Sequence, residues 1–243
     1  MFKGILIIRS IMTHLQANPT EGVVLLHGLC RSSSSMVKLQ AALSAAGFVV
    51  DNVDYPSRSA TIEKLSEDVI GLALRNPKLA SCGKIHFVTH SLGGILVRSY
   101  FSRHADSRLG RVVMLGPPNQ GSEVADRLKQ WKAYQKLNGP VGDQLGTDPA
   151  SVPRRLGPVE FELGVIAGDR SINWINSLMI AGSDDGKVSV QNTMVEGMKE
   201  HLVVHATHPF LMKNRQVIDA TLRFLSLGTF TTAPNLAPEE GAG

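Results

Sequence analysis

Short, largely apolar runs recur along the chain, separated by stretches in which apolar positions return every three or four residues. The runs lie at 23–26, 48–53, 85–88, 112–115, 163–167 and 202–204. Most are apolar throughout, as strands buried on both faces are. Between them, Met36, Leu39, Leu43 and Ala46 recur at helical spacing behind a serine run and before Gly47. Ile62, Leu65, Val69 and Leu72 repeat the pattern until Asn76-Pro77 stops it, and a last helix is expected to begin at Pro209 and carry Leu211, Val217, Ile218, Leu222 and Leu225. Strands alternating with amphipathic helices predict an α/β fold, a mostly parallel sheet with helices on both faces.

One stretch breaks the alternation. From 117 to 158 many Pro and Gly residues surround a single amphipathic segment, Val124, Leu128 and Trp131, which reads as an insertion between two strands. Two readings of it stand side by side: an ordinary covering helix, or a cap over a substrate. The opening apolar run of residues 1–9 is broken by Arg9 and lacks a small-residue cleavage site, so a strand or packed terminus and a cytoplasmic location are expected. No apolar run is long enough to span a bilayer. The Ala, Pro, Glu and Gly of 231–243 suggest a disordered tail, which leaves one domain over 1–230.

Composition narrows the picture. With 43% hydrophobic and 19% charged residues in 243 positions, the chain can bury a full core without staples. Lys and Arg number 25 against 21 Asp and Glu, and the basic positions are scattered in sequence, so nucleic acid is not an expected partner. Cys30 and Cys82 show no zinc or redox spacing and are expected as free thiols.

The strongest chemical signal is Val88-Thr89-His90-Ser91-Leu92-Gly93-Gly94, directly after an apolar run and before a helical one. A sharp strand-to-helix turn of this kind exposes a serine Oγ at the carboxyl end of a sheet. The motif is T-x-S-x-G, with Thr89 where glycine is usual. The bland alternative, Ser91 as a helix cap, does not account for strand, turn and helix in this order. A second signal is His27-Gly28-Leu29 at the end of the first run. Gly28 lets the chain turn close to a substrate and frees the Leu29 N–H; with the Leu92 N–H it makes a pair of candidate oxyanion donors.

His27-Gly28, the turn at Ser91, the loop Gly116-Pro117-Pro118-Asn119-Gln120-Gly121-Ser122 and the segment Asp184-Asp185-Gly186-Lys187-Val188 together resemble the bacterial lipase and esterase branch of the α/β-hydrolases, over roughly 22–225. In such lipases the first of these loops often reads Thr-Pro-His-x-Gly-Ser; here Pro118-Asn119 stands in place of Pro-His. The resemblance implies the α/β-hydrolase fold, a Ser-acid-His order and a small-molecule ester or lipid substrate, with no cofactor. For the acid, Asp169, Asp184 and Asp185 compete; for the base, His201, His205 and His208. The family places the acid directly before the glycine, which selects Asp185, and a histidine leading into the last helix, which selects His208. The loop after the last strand also gives His208 room to overhang Ser91. The three clustered histidines do not form a His-Glu-x-x-His helix, so a metal site is not expected. His86, His90 and His104 have no acid or nucleophile placed to engage them and are read as structural. His27 and Gly28 are expected near the substrate, and Trp131 and Trp174 either line an acyl pocket or pack. A thioester, amide or second acceptor alcohol would suit the same residues, and a non-catalytic binding protein on this fold is the rival from another class.

Overall fold

The computed structural model describes residues 20–171 and 184–231. The expectations for residues 1–9, for Trp174 and for the tail after Thr231 lie outside the described residues. Strands β1 (Glu21–Leu26), β2 (Val49–Val53), β3 (Lys84–His90), β4 (Leu109–Leu115), β5 (Leu163–Gly168) and β6 (Glu200–Val204) fall on the six apolar runs. All pair in parallel, in the order β2-β1-β3-β4-β5-β6. The helices are α1 (Val37–Ala45), α2 (Ile62–Leu74), α3 (Leu92–Phe101), α4 (Glu123–Leu128), α5 (Lys132–Gln144), α6 (Val152–Arg155) and α7 (Arg215–Leu227).

Successive strand residues point to opposite faces, and here both faces are covered. Val23, Leu25, Val88, Val113 and Leu115 pack against α1 and α7. Val24, Leu26, Phe87, Val112 and Met114 pack against α2 and α3. This explains why the strands lack polar alternation. Leu25, Leu26, Leu39, Leu43, Phe87 and Phe224 are fully buried, each contributing roughly 1.5–3 kcal/mol relative to exposure.

Two helical expectations need correction. Leu72 is 65% exposed; the buried face of α2 runs through Ile62, Leu65, Val69, Ile70 and Ala73 instead. Pro209 does not open the last helix but belongs to a 3-10 turn, His208–Lys213. Asn214 is the true cap, its side chain accepting from the Val217 N–H at 3.3 Å, and Gly228 ends α7 in the left-handed conformation that glycine tolerates (φ 74).

The 117–158 stretch folds as α4, a kinked α5 and the short α6. The kink falls at Gly139 (φ 63, ψ −164), just before Pro140, where a side chain would collide with the Arg58 carbonyl. Arg98 of α3 fastens this stretch from below. Its guanidinium is buried and donates to Asn119 O (2.9 Å), Asn119 Oδ1 (3.1 Å), Pro153 O (3.2 Å) and Gly157 O (2.7 Å). Burial lowers its pKa to about 10, so it keeps its charge at neutral pH. Arg98→Met would leave those oxygens without their donor and is expected to lower stability by about 3 kcal/mol in urea unfolding. A loss under about 1 kcal/mol would show that this anchor is dispensable.

The chain runs from β1 to β2 on one side, then returns past β1 to β3 on the other. Such a reversal opens a crevice outside the carboxyl ends of the two central strands. The loops after β1 and β3 carry Leu29 and Ser91 to this crevice.

Candidate active site

Ser91 follows β3 immediately and precedes the first residue of α3. Its backbone has φ 52 and ψ −117, and among the described residues only Cys30 is another non-glycine at positive φ. Such a conformation costs on the order of 1–3 kcal/mol and is kept only where the surroundings enforce it. Two contacts do so. The Ser91 N–H donates to Leu115 O at 2.9 Å. Gly93 lets α3 lie against β1, since a Cβ there would stand 2.8 Å from Leu26 O and 2.9 Å from Leu26 Cβ. The close approach is thus at Gly93; Thr89, where glycine is usual, is a fully buried residue of β3. Ser91 makes no side-chain cap hydrogen bond to α3.

His208 and Asp185 form a buried pair. A carboxylate can only accept, so His208 Nδ1–H donates to Asp185 Oδ2, at 2.7 Å. The other oxygen, Oδ1, accepts from the N–H groups of Lys187 and Val188, each at 3.0 Å. The His208 N–H also donates to Asp185 O at 2.9 Å. Carboxylate and ring are therefore oriented by separate bonds, leaving Nε2 as the lone-pair nitrogen. Gly116, at φ 55, makes room for them: a Cβ there would lie 3.0 Å from Asp185 Oδ2 and 3.1 Å from His208 Nδ1. Its place directly after the fourth apolar run, before two prolines, was the sequence signal for that need.

Ser91, His208 and Leu29 line one cavity of about 310 Å³, with Val124, Ala125, Leu145 and Val188 among its apolar walls. The Leu29 and Leu92 N–H groups donate to no acceptor among the described residues, and Leu92 opens α3, where the helix dipole favours negative charge. A serine hydroxyl, an imidazole with a free nitrogen and two unengaged amides can together support acyl transfer.

The competing residues sit elsewhere. Asp184 Oδ1 accepts from the Gly186 N–H at 2.6 Å. His205 pairs with Asp169 at 3.0 Å, its side chain 74% exposed. His201 Nε2 meets Thr193 Oγ1 at 2.8 Å, and burial lowers its pKa.

Two expectations about the surroundings are corrected, those for His27 and Trp131. His27 is fully buried and does not line the cavity. It stacks on Tyr55, accepts the Tyr55 N–H at Nε2 (3.3 Å) and donates from Nδ1 to Gly28 O (2.9 Å). Gly28 packs directly beside Ser91: a Cβ there would stand 2.7 Å from His90 Nδ1 and 3.2 Å from Ser91 Cβ. Trp131 is 64% exposed and outside the cavity wall, to which α5 contributes Tyr134, Leu137 and Asn138 instead. Nor are His86 and His104 without an acid: Glu21 stands 3.5 Å from the first and Glu67 2.7 Å from the second.

His90 is the wall residue that sequence reasoning set aside. Its Nε2–H donates to the His208 carbonyl at 3.0 Å, and burial, reinforced by His208 alongside, holds it well below the usual histidine range. It is a neutral strut under the His208 backbone. Asn119, the departure from the lipase loop pattern, is fully buried and faces away from the cavity, bonding Arg98 and Thr193 O.

The sequence profile of the alpha/beta hydrolase family matches residues 23–220. The chain belongs to the alpha/beta hydrolase family. Among solved structures, this hydrolase is similar to the mature lipase BlEst2 of Bacillus licheniformis, at TM-score 0.66 and 20% identity over 87% of this chain and 93% of the lipase. It is similar to phospholipase PlaB of Legionella pneumophila, at TM-score 0.66 and 17% identity over 88% of this chain and 60% of that one. A metagenomic carboxyl esterase, MGS0156, shares TM-score 0.59 and 16% identity over 79% of this chain and 65% of its own. Identities this low speak for the fold alone. No curated protein sequence matches the chain.

In this hydrolase Cys30 is exposed, Cys82 is buried, and neither is bridged. Among the described residues, no group of three or more His, Cys, Asp or Glu side chains could hold a metal ion, and no helix is long and apolar enough to cross a membrane.

Proposed function

We propose that this alpha/beta hydrolase cleaves carboxylic esters through an acyl-enzyme at Ser91, with His208 as base, Asp185 orienting it, and the Leu29 and Leu92 N–H groups holding the oxyanion. The observation that carries the reading is the meeting of a positive-φ serine and a buried Asp–His pair on one cavity. The printed names of the structural neighbours, a lipase, a phospholipase and a carboxyl esterase, agree with an ester substrate.

Ser91 Oγ attacks the ester carbonyl while its proton passes to His208 Nε2, and the two amides take the developing negative oxygen. As the C–O bond to the alcohol breaks, the imidazolium returns that proton to the departing oxygen. Water then adds to the acyl-enzyme, its proton taken by the same nitrogen; collapse releases the carboxylic acid and restores the Ser91 hydroxyl. Asp185 keeps accepting the Nδ1–H and stabilises the transient imidazolium. Val124, Ala125 and Leu145 from the 117–158 stretch wall the acyl group in, so this stretch serves as a roof.

The same site suits thioesters, amides or transfer to a second alcohol. A panel of p-nitrophenyl esters of rising acyl length, set beside a thioester and an anilide, separates these. A cavity near 310 Å³ lies at the small end for ligand sites, so kcat/KM is expected to peak at short or medium esters and to be far lower for the anilide. Preference for the thioester, or turnover confined to long chains, would redirect the assignment.

A further inference from the structure

Beside the Ser91 cavity lies a larger one of about 680 Å³, between the loop after β2 and the kinked α5. The two share walls at Cys30, Arg31 and Leu137, so a substrate held at Ser91 can extend one arm into the second. Three cations stand around it, Arg31, Arg58 and Lys136, and no carboxylate lines it. None of the three makes an ion pair among the described residues. The Arg58 guanidinium is tethered by its NH1 donating to Leu137 O at 3.1 Å, which joins the β2 loop to α5 and holds that charge at the rim. Lys187 adds a further positive charge on the Ser91 side.

We propose that the second cavity is an anion subsite, in which Arg31, Arg58 and Lys136 receive a phosphate or carboxylate group carried by the ester substrate. The proposal rests on the ester-hydrolase reading above for its link to catalysis. Guanidinium groups bind both anions through paired N–H donors, and like charges left unpaired around a concave surface attract an anion before it touches. Each exposed cation contributes about two- to fivefold in binding, so the cluster is expected to favour a charged substrate about tenfold, less in high salt.

The test compares matched esters by kcat/KM: 1-butyrylglycerol against its 3-phosphate, and methyl 4-nitrophenyl adipate against 4-nitrophenyl hydrogen adipate. The expected result is a preference of about tenfold for at least one charged member, shrinking toward unity in the Arg58→Ala/Lys136→Ala protein; the pair that shows it tells phosphate from carboxylate. Both side chains are exposed and line the second cavity only. Independently of turnover, NMR titration of the intact protein with glycerol 3-phosphate and with adipate, carried to about 0.1 M or above at constant ionic strength, should show saturable shifts that the double substitution removes. Equal kcat/KM within both pairs, a preference that survives the double substitution, or no saturable binding of either anion would overturn the subsite. If the anion binds through Arg58 and Lys136 but none of the four esters is hydrolysed, the subsite stands and the ester-hydrolase reading fails instead.

Discussion

Ser91→Ala is expected to abolish covalent labelling by a fluorophosphonate and to lower ester turnover by a factor on the order of 10⁴ to 10⁶, with the circular dichroism spectrum unchanged. Alanine keeps a Cβ, so it sits under the same backbone strain as serine at φ 52, and the contacts that enforce the turn, Leu115 O and the Gly93 approach, do not involve the hydroxyl. The loss therefore reads chemistry rather than folding. Cys30 provides a built-in control, because its thiol lines the same cavity. Labelling that persists at wild-type level in Ser91→Ala and vanishes in Cys30→Ala would move the nucleophile to that thiol.

Asp185→Asn and His208→Ala are expected to cost on the order of 10⁴-fold or more in kcat. The reason is specific to Asp185. One of its oxygens already accepts two backbone N–H groups, from Lys187 and Val188. An asparagine would keep its carbonyl oxygen there and turn its NH₂ toward His208. Facing a donor, Nδ1 must give up its hydrogen, the proton moves to Nε2, and the ring can no longer receive one from Ser91. His205→Ala and Asp184→Asn are expected to be mild: the contact of the exposed His205 with Asp169 contributes at most about 1 kcal/mol, and an asparagine at 184 keeps an oxygen to accept the Gly186 N–H. Large losses at His205 or Asp184, with His208→Ala active, would reassign the base and acid while leaving Ser91 in place.

The strands were legible because burial on both faces writes itself as a largely apolar run, and all six fall where such runs lie. The turn at Ser91 was legible for a similar reason: its residues are contiguous, and the flanking elements announce themselves. Burial direction was harder. Leu72 has the spacing of a core residue yet faces solvent, because periodicity gives a face without saying how wide it is. His27 and Trp131 went opposite ways, the polar ring inward onto Tyr55, a partner 28 residues on, and the large apolar one outward. The same limit hid the charge cluster. Arg31, Arg58 and Lys136 look scattered along the chain, and only the packing of α5 against the loop after β2 gathers them at one cavity. His90 was set aside for want of a neighbouring acid, although its partner is a carbonyl 118 residues away.

That last contact bears on how the protein comes into being. It joins the end of β3, in the middle of the sheet, to the turn after β6 at its edge, with β4 and β5 between them. Bringing together segments so far apart is slow and is rewarded only once the intervening strands have docked. If His208 activates Ser91 as proposed, a chain emerging from the ribosome carries its serine long before the residue that serves it, and half-folded copies are expected to be inactive.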